Sequence, residues 1–120
     1  MDVRTVLVVD DSPTDLHLIG GMLNKNGYTV ITATTGEEAI ERAKAEPPDL
    51  ILLDIVMPGM NGFETTRALS RDPDTRSIPV IIVSTKGQET DKVWGLRQGA
   101  KDYLVKPVDE SALISKIRAL

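Results

Sequence analysis

The sequence predicts an α/β fold: a three-layer αβα sandwich around a five-stranded parallel sheet in the order 2-1-3-4-5, the flavodoxin-like arrangement. Three observations carry this. Apolar runs alternate with helix-period segments along all 120 residues, the pattern of βαβ units. Two of the runs, VLVV and LILL, end in acid, at Asp10-Asp11 and at Asp54. The interior of a covered parallel strand is dry, so a carboxylate goes to its end, where water or a cation reaches it. Placing the acid-ended strands side by side, with right-handed crossovers, gives an order whose winding reverses between strands 1 and 3. Ligands of open α/β sheets bind at such a reversal.

The first strand is Thr5–Val9. Ser12, Pro13 and Asp15 then start helix 1, with Ser12 as N-cap, Pro13 at the first helical position and Asp15 closing a capping-box-like pair. Leu16, Ile19 and Leu23 recur at spacings of three and four and form its core stripe. Gly20-Gly21 costs the helix about 1 kcal/mol per glycine, for which close packing on the sheet is the candidate reason. Gly27 ends it. Strand 2 is Thr29–Ala33. Thr35 and Glu38 cap helix 2, which has a narrow face of Ala39, Ile40 and Ala43 and stops at Pro47-Pro48. Strand 3, Leu50–Leu53, is wholly apolar and therefore central.

After the loop Pro58–Gly62, Asn61 and Glu64 cap helix 3, which carries Phe63 inward. Strand 4 is Val80–Val83. Helix 4 runs from about Glu89 to Gln98, with Val93, Leu96 and Ala100 expected inward and Gly99 as its stop. Strand 5 is Tyr103–Val105, and Lys106 follows it. Helix 5 starts near Asp109 and buries Leu113, Ile114 and Ile117. There is no linker, repeat or low-complexity stretch, so residues 1–120 are expected to form one domain.

Composition bounds the function. Hydrophobic residues are 41% and charged residues 27%, ordinary values for a soluble globule. No apolar stretch has the length of a membrane span, and the N-terminus lacks a secretory layout, so a cytoplasmic protein without membrane insertion is expected. With no cysteine there are no disulfides or thiolate metal sites. A net charge of −4 argues against nucleic acid as a partner.

Asp10, Asp11, Asp54 and Lys106 would meet at one edge of the sheet. Two carboxylates about 4 Å apart repel by roughly 4 kcal/mol at an effective dielectric near 20. Such a cluster persists if it holds a cation or if one acid takes a proton. The ligands are all oxygen, which suits Mg²⁺, with Mn²⁺ as the alternative. Ser84 ends strand 4 and offers a hydroxyl; Lys106 offers a point charge for a phosphoryl oxygen. A carboxylate nucleophile, a divalent cation, a hydroxyl and an ammonium make a phosphoryl-transfer site. Asp54, a single acid on the central strand, is the candidate nucleophile.

The set VVDD, LLDIVMPGMNG, VIIVST and YLVKP resembles the receiver domain of two-component response regulators, of which CheY is the familiar single-domain member. It spans about Val6 to Leu120, each motif in order at its strand end. The resemblance implies that Asp54 takes a phosphoryl group from a sensor histidine kinase. It implies that Asp10, Asp11, Asp54 and the backbone carbonyl of Val56 hold Mg²⁺, Asp10 partly through water, while Ser84 and Lys106 bind phosphoryl oxygens. Ser84 would then shift and Tyr103 turn inward, changing the face of helix 4, strand 5 and helix 5. That face, with Trp94, Lys101 and Tyr103, would bind a downstream protein target. The Lys106–Pro107 peptide is expected to be cis.

The segment VSTKGQETDKVWGLRQGAKDYLVKPVDE further resembles the PilH-like stand-alone regulators of chemotaxis-like systems that control type IV pilus twitching motility. Two residues depart from common receivers. Thr85 follows Ser84 where many have alanine, and Val56 replaces a polar side chain that would orient an attacking water, so slow loss of the phosphoryl group is expected.

Blander readings accompany these. His17 lies off the helix 1 stripe and is expected in solvent. Trp94 either packs along the edge of helix 4 or faces a partner. Met57 and Met60 fill space at the site rim, and Glu37, Glu41 and Lys44 form a solvated face. The protein is expected to be a monomeric switch that assists its own phosphorylation and dephosphorylation but is no conventional enzyme. The alternatives are a phosphate-independent docking receiver and a metal-dependent aspartyl phosphatase. The phosphatase would want a second acid at position 56. A flavin carrier on the same fold would want a neutral phosphate loop and more than 3% aromatics.

Overall fold

Each of the five apolar runs becomes a strand. The computed structural model describes residues 2–120. Its elements are β1 (Thr5–Val9), α1 (Pro13–Lys25), β2 (Thr29–Ala33), α2 (Gly36–Ala45), β3 (Leu50–Leu53), α3 (Gly62–Arg71), β4 (Val80–Ser84), α4 (Glu89–Arg97), β5 (Asp102–Val105) and α5 (Glu110–Arg118). The sheet is parallel in the order β2-β1-β3-β4-β5. Among the described residues no helix is long and apolar enough to cross a membrane.

Alternation along each strand builds a core on both sides of the sheet. Val6, Val8, Leu50, Leu52, Ile81 and Val83 meet Ile19 and Leu23 of α1 and Leu113, Ile114 and Ile117 of α5. Leu7, Val9, Ile51, Leu53 and Val80 meet Ala39 and Ala43 of α2 and Leu69 of α3. Ile55, Ile82, Ala100 and Tyr103 form a third cluster, with Phe63 packed against it.

Helix starts follow their capping residues. Ser12, Thr35, Asn61 and Asp109 each accept a backbone N–H at the third helical position. Asn61 and Glu64 complete a reciprocal capping box. The Ser12–Asp15 pair is only half a box: the Ser12 N–H donates to Asp10 Oδ1 at 3.0 Å, and the Asp15 carboxylate goes elsewhere. In α2 the Glu38 carboxylate accepts from the N–H of Thr34 rather than Thr35. Gly27 and Gly99 end α1 and α4 with positive φ of 89° and 117°, where other residues are strained. The Lys106–Pro107 peptide is cis.

Helix α4 corrects the sequence reading. Val93 and Leu96 were expected inward, but they are 42% and 48% exposed. Gly95 and Gln98 are buried instead, Gly95 against the sheet and Gln98 accepting from Arg67 of α3 at 2.7 Å. A Cβ on Gly95 would stand 2.7 Å from Ile82 Cδ1 and 3.3 Å from a Tyr103 ring carbon. The helix therefore lies close on its bare glycine, and Leu96, about 100° round the helix from it, and Val93, about 160° round it the other way, are turned out. Ala100 is buried as expected. The Gly20-Gly21 expectation also fails. A Cβ on Gly20 would meet only Val30 Cγ1, at an ordinary 3.8 Å, and one on Gly21 would meet nothing within 4 Å.

Candidate functional site

Strand register brings the acids together. Val9 pairs with Leu53, and one residue on, Asp10 and Asp54 leave the ends of adjacent strands. Asp54 N–H still donates to Val9 O at 3.0 Å, and Asp10 N–H to Ala33 O at 3.1 Å, so both residues are fixed by the ladder. On the other side Ile82 pairs with Leu53, which sets Ser84 just beyond the level of Asp54. Lys106 N–H donates to Ser84 O at 2.8 Å. Four strand ends thus deliver three carboxylates, a hydroxyl and an ammonium to one edge.

Carboxylate oxygens of Asp10, Asp11 and Asp54 lie within 4.8 Å of one another. Asp10 and Asp54 are buried and Asp11 is exposed. Lys106 Nζ lies 2.7 Å from Asp10 Oδ2, 3.0 Å from Asp15 Oδ2 and 3.6 Å from Asp54 Oδ2. Asp54 Oδ1 accepts from the Ile55 N–H at 2.8 Å. The sequence reading missed Asp15. Its acidity was visible, but a role as capping partner accounted for it, and its ammonium partner is 91 residues away in the chain.

The electrostatics show a site short of positive charge. Burial, and next the Asp10 carboxylate, raise the pKa of Asp54 above the ordinary carboxylate range, against the pull of Lys106. Burial alone would lower the Lys106 pKa, but hydrogen bonds to Asp10 and Asp15, together with the negative charges of Asp54 and Asp10, outweigh it and raise the value. Three carboxylates therefore lie within 3.6 Å of one ammonium, and Asp11 adds another acid beside Asp10 and Asp54. The donor set is all oxygen and solvent reaches it at Asp11, which fits a hard divalent cation that keeps some of its waters.

The Lys86 backbone links two more predicted residues, through the two peptides that flank its Cα. Its N–H donates to Ser84 Oγ at 3.2 Å, and its carbonyl accepts from the Tyr103 hydroxyl. Ser84 is fully buried and Tyr103 is inward, 7% exposed. Burial, and next Asp91, raise the tyrosine pKa.

The other expected residues lie apart. Val56 follows β3 with its side chain 55% exposed. Trp94, 46% exposed, lines a groove of about 410 Å³ with Phe63, Arg67 and Gln98, between α3 and α4. Lys101 is exposed at the start of β5, its N–H on Val80 O at 2.8 Å, at the opposite edge of the sheet from the acids. His17 is exposed, Met57 buried and Met60 half-buried. Glu37 accepts from Met60 N–H and Lys44 pairs with Asp72 at 2.7 Å.

Gly62 was also missed as a site residue. A Cβ there would stand 2.2 Å from the Asp54 carbonyl oxygen and 2.6 Å from Ile55 Cα. The N-terminus of α3 presses directly on the backbone that carries Asp54.

Fold and site together define a receiver domain. Residues 6–118 match the response regulator receiver domain family, and the chain belongs to it. It is 56% identical over 115 residues to Protein PilH of Pseudomonas aeruginosa, covering 96% of this chain and 95% of that protein. Response regulator PleD of Caulobacter vibrioides is 42% identical over 115 residues, 96% of this chain but only 25% of PleD. Among solved structures, the chemotaxis protein CheY4 of Vibrio cholerae superposes with a TM-score of 0.90 at 31% identity, covering 98% of each chain. A CheY-like receiver domain protein from Methanospirillum hungatei JF-1 gives 0.89 at 29% identity over 98% of this chain and 93% of that one.

Proposed function

We propose that the chain is a Mg²⁺-dependent phosphorylation switch whose phosphoacceptor is Asp54. The observation that carries this is the convergence of Asp10, Asp11, Lys106 and the buried Asp54 at one sheet edge. Ile55 N–H ties down Asp54 Oδ1, so Oδ2, facing Lys106, is the attacking oxygen. It forms the new O–P bond as the P–N bond to the donor imidazole breaks. That electron pair returns to the ring nitrogen, which takes a proton. Asp10, Asp11, Asp54 and the Val56 carbonyl would hold Mg²⁺, or Mn²⁺, which when bound supplies positive charge against the phosphoryl oxygens. Lys106 and Ser84 bind those oxygens.

The shared Lys86 backbone supports coupling. When Ser84 turns to the phosphoryl group it gives up the Lys86 N–H, and the carbonyl of the same residue, in the next peptide, holds Tyr103. The face of α4, β5 and α5 changes with it. Leu96 and Val105 expose apolar surface there, and exposed Trp94 and Lys101 are further proposed contacts for the partner. The domain acts as one cytoplasmic, monomeric unit that receives phosphoryl from a sensor histidine kinase and binds a downstream protein. It assists its own phosphorylation and hydrolysis and turns over no separate substrate. Likeness to PilH and CheY4 supports a pathway of the pilus-motility or chemotaxis type.

Incubation with Mg²⁺ and acetyl phosphate, followed by intact mass measurement, tests the proposal. A gain of one phosphoryl group, absent in Asp54→Asn, is the expected result. A wild-type protein that stays unmodified with every competent donor overturns it.

A further inference from the structure

The Lys106 ammonium has two anchors of different kinds. Asp10 is 3% exposed and sits within the acid cluster; Asp15 is 34% exposed and projects from the first turn of α1. Asp15 and Lys106 together line a hollow of about 300 Å³, with Leu18, Thr85 and Pro107 on its walls. The ammonium is 2.7 Å from Asp10, 3.0 Å from Asp15 and 3.6 Å from Asp54, so its hydrogen bonds go to Asp10 and to Asp15 of α1 rather than to Asp54. Among the described residues the Asp15 carboxylate has no hydrogen-bond or ion-pair partner other than Lys106. Ser12 caps the helix without it, and the Ser12 N–H is satisfied by Asp10.

We propose that Asp15 is a positioning residue that competes with the phosphoryl group for the Lys106 ammonium and so restrains occupation of the Asp54 site. This rests on the phosphoacceptor reading above. To bind a phosphoryl oxygen, Lys106 must loosen its hydrogen bond to Asp15, a partly exposed ion pair whose loss carries a modest cost. The same carboxylate adds negative charge beside the cation ligands and strengthens their hold on Mg²⁺. Removing its charge therefore has opposite effects on the two ligands, which a loss of packing would not produce.

The test uses beryllofluoride, a stable phosphoryl mimic, titrated at saturating Mg²⁺ and followed by backbone amide shifts around Asp54. Asp15→Asn is expected to bind beryllofluoride about fivefold more tightly and Mg²⁺ alone more weakly, with Asp15→Glu returning both toward wild type. In a Lys106→Ala background, Asp15→Asn is expected to leave beryllofluoride affinity unchanged. Wild-type binding with unchanged or weakened affinity in Asp15→Asn overturns this inference alone, as does an equal effect of Asp15→Asn without Lys106. A wild-type protein that binds no beryllofluoride overturns the phosphoacceptor reading as well.

Discussion

A side-chain carbon on residue 62 would stand 2.2 Å from the carbonyl oxygen of Asp54. Backbone is the obstacle, so no rotamer change relieves the clash. Gly62→Ala must push α3 away from the loop after β3. The expected cost is about 1–3 kcal/mol, together with a loss of acetyl-phosphate-driven mass gain larger than the stability loss explains. Urea unfolding and intact mass on the same preparation check it. Unchanged stability would show that the α3 terminus does not brace Asp54.

Asp54 is expected to destabilise the protein that it serves. Its pKa is raised in the fold, chiefly by burial and then by Asp10. For a raised pKa, the stabilising contribution is present below the ordinary carboxylate range and is lost as pH rises through the folded value. Above that range, without metal, Asp54→Asn should melt a few degrees higher than wild type. Mg²⁺ should reverse the order. A ligand at ten times its Kd adds about 1.4 kcal/mol, and under the proposed Mg²⁺ site the variant has one carboxylate fewer with which to gain it. Thermal melts at neutral pH with and without Mg²⁺ decide the matter. A variant less stable than wild type in EDTA would contradict the sign.

The strands and the acid cluster were legible in the sequence because chain-local signals fixed them. Each apolar run stops where a chemically distinct residue begins, and a parallel register with Val9 opposite Leu53 leaves Asp10 and Asp54 no other place. Helix α4 was not legible. Val93 and Leu96 are apolar, and nothing in their spacing shows that the sheet accepts only the missing Cβ of Gly95. Exposed positions tolerate change, so Val93→Ser and Leu96→Ser should each shift stability by less than about 0.5 kcal/mol. Leu113→Ala, at a fully buried site, should cost roughly 2–5 kcal/mol. Comparable losses at positions 96 and 113 would restore the inward reading of α4.

Pair terms far apart in the chain were the other blind spot. Asp15 satisfies a local capping pattern, and only the fold shows its carboxylate on Lys106, 91 residues on. Gly21 is the converse: a local weakness with no tertiary reason. It is exposed in α1 with open space where a Cβ would go. Gly21→Ala should therefore stabilise the protein by up to about 1 kcal/mol, through helix propensity and a less flexible unfolded chain. A higher urea midpoint at unchanged slope is the expected signature, and phosphorylation should be unaffected.

Far from the site, Asp49 is expected to contribute to the acid limb of stability. It precedes β3, and its Oδ2 accepts from the backbone N–H groups of Arg4 and Thr5, both at 2.9 Å. These bonds tie the entry of β1 to the entry of β3. They hold the Asp49 pKa below the ordinary carboxylate value, the Thr5 bond most strongly and the Arg4 bond next, against a small opposing effect of burial. For a lowered pKa, the contribution is present above the unfolded value and is lost as pH falls through the folded one. An amide at this position still accepts hydrogen bonds but without charge. Asp49→Asn is therefore expected to lose about 1 kcal/mol at pH 7, with screening at a partly exposed site included. The gap from wild type should close as pH falls below the ordinary carboxylate range. Urea midpoints for both proteins from pH 7 down to pH 2.5 measure it. A gap that stays constant with pH would assign the loss to geometry rather than to the charge on Asp49.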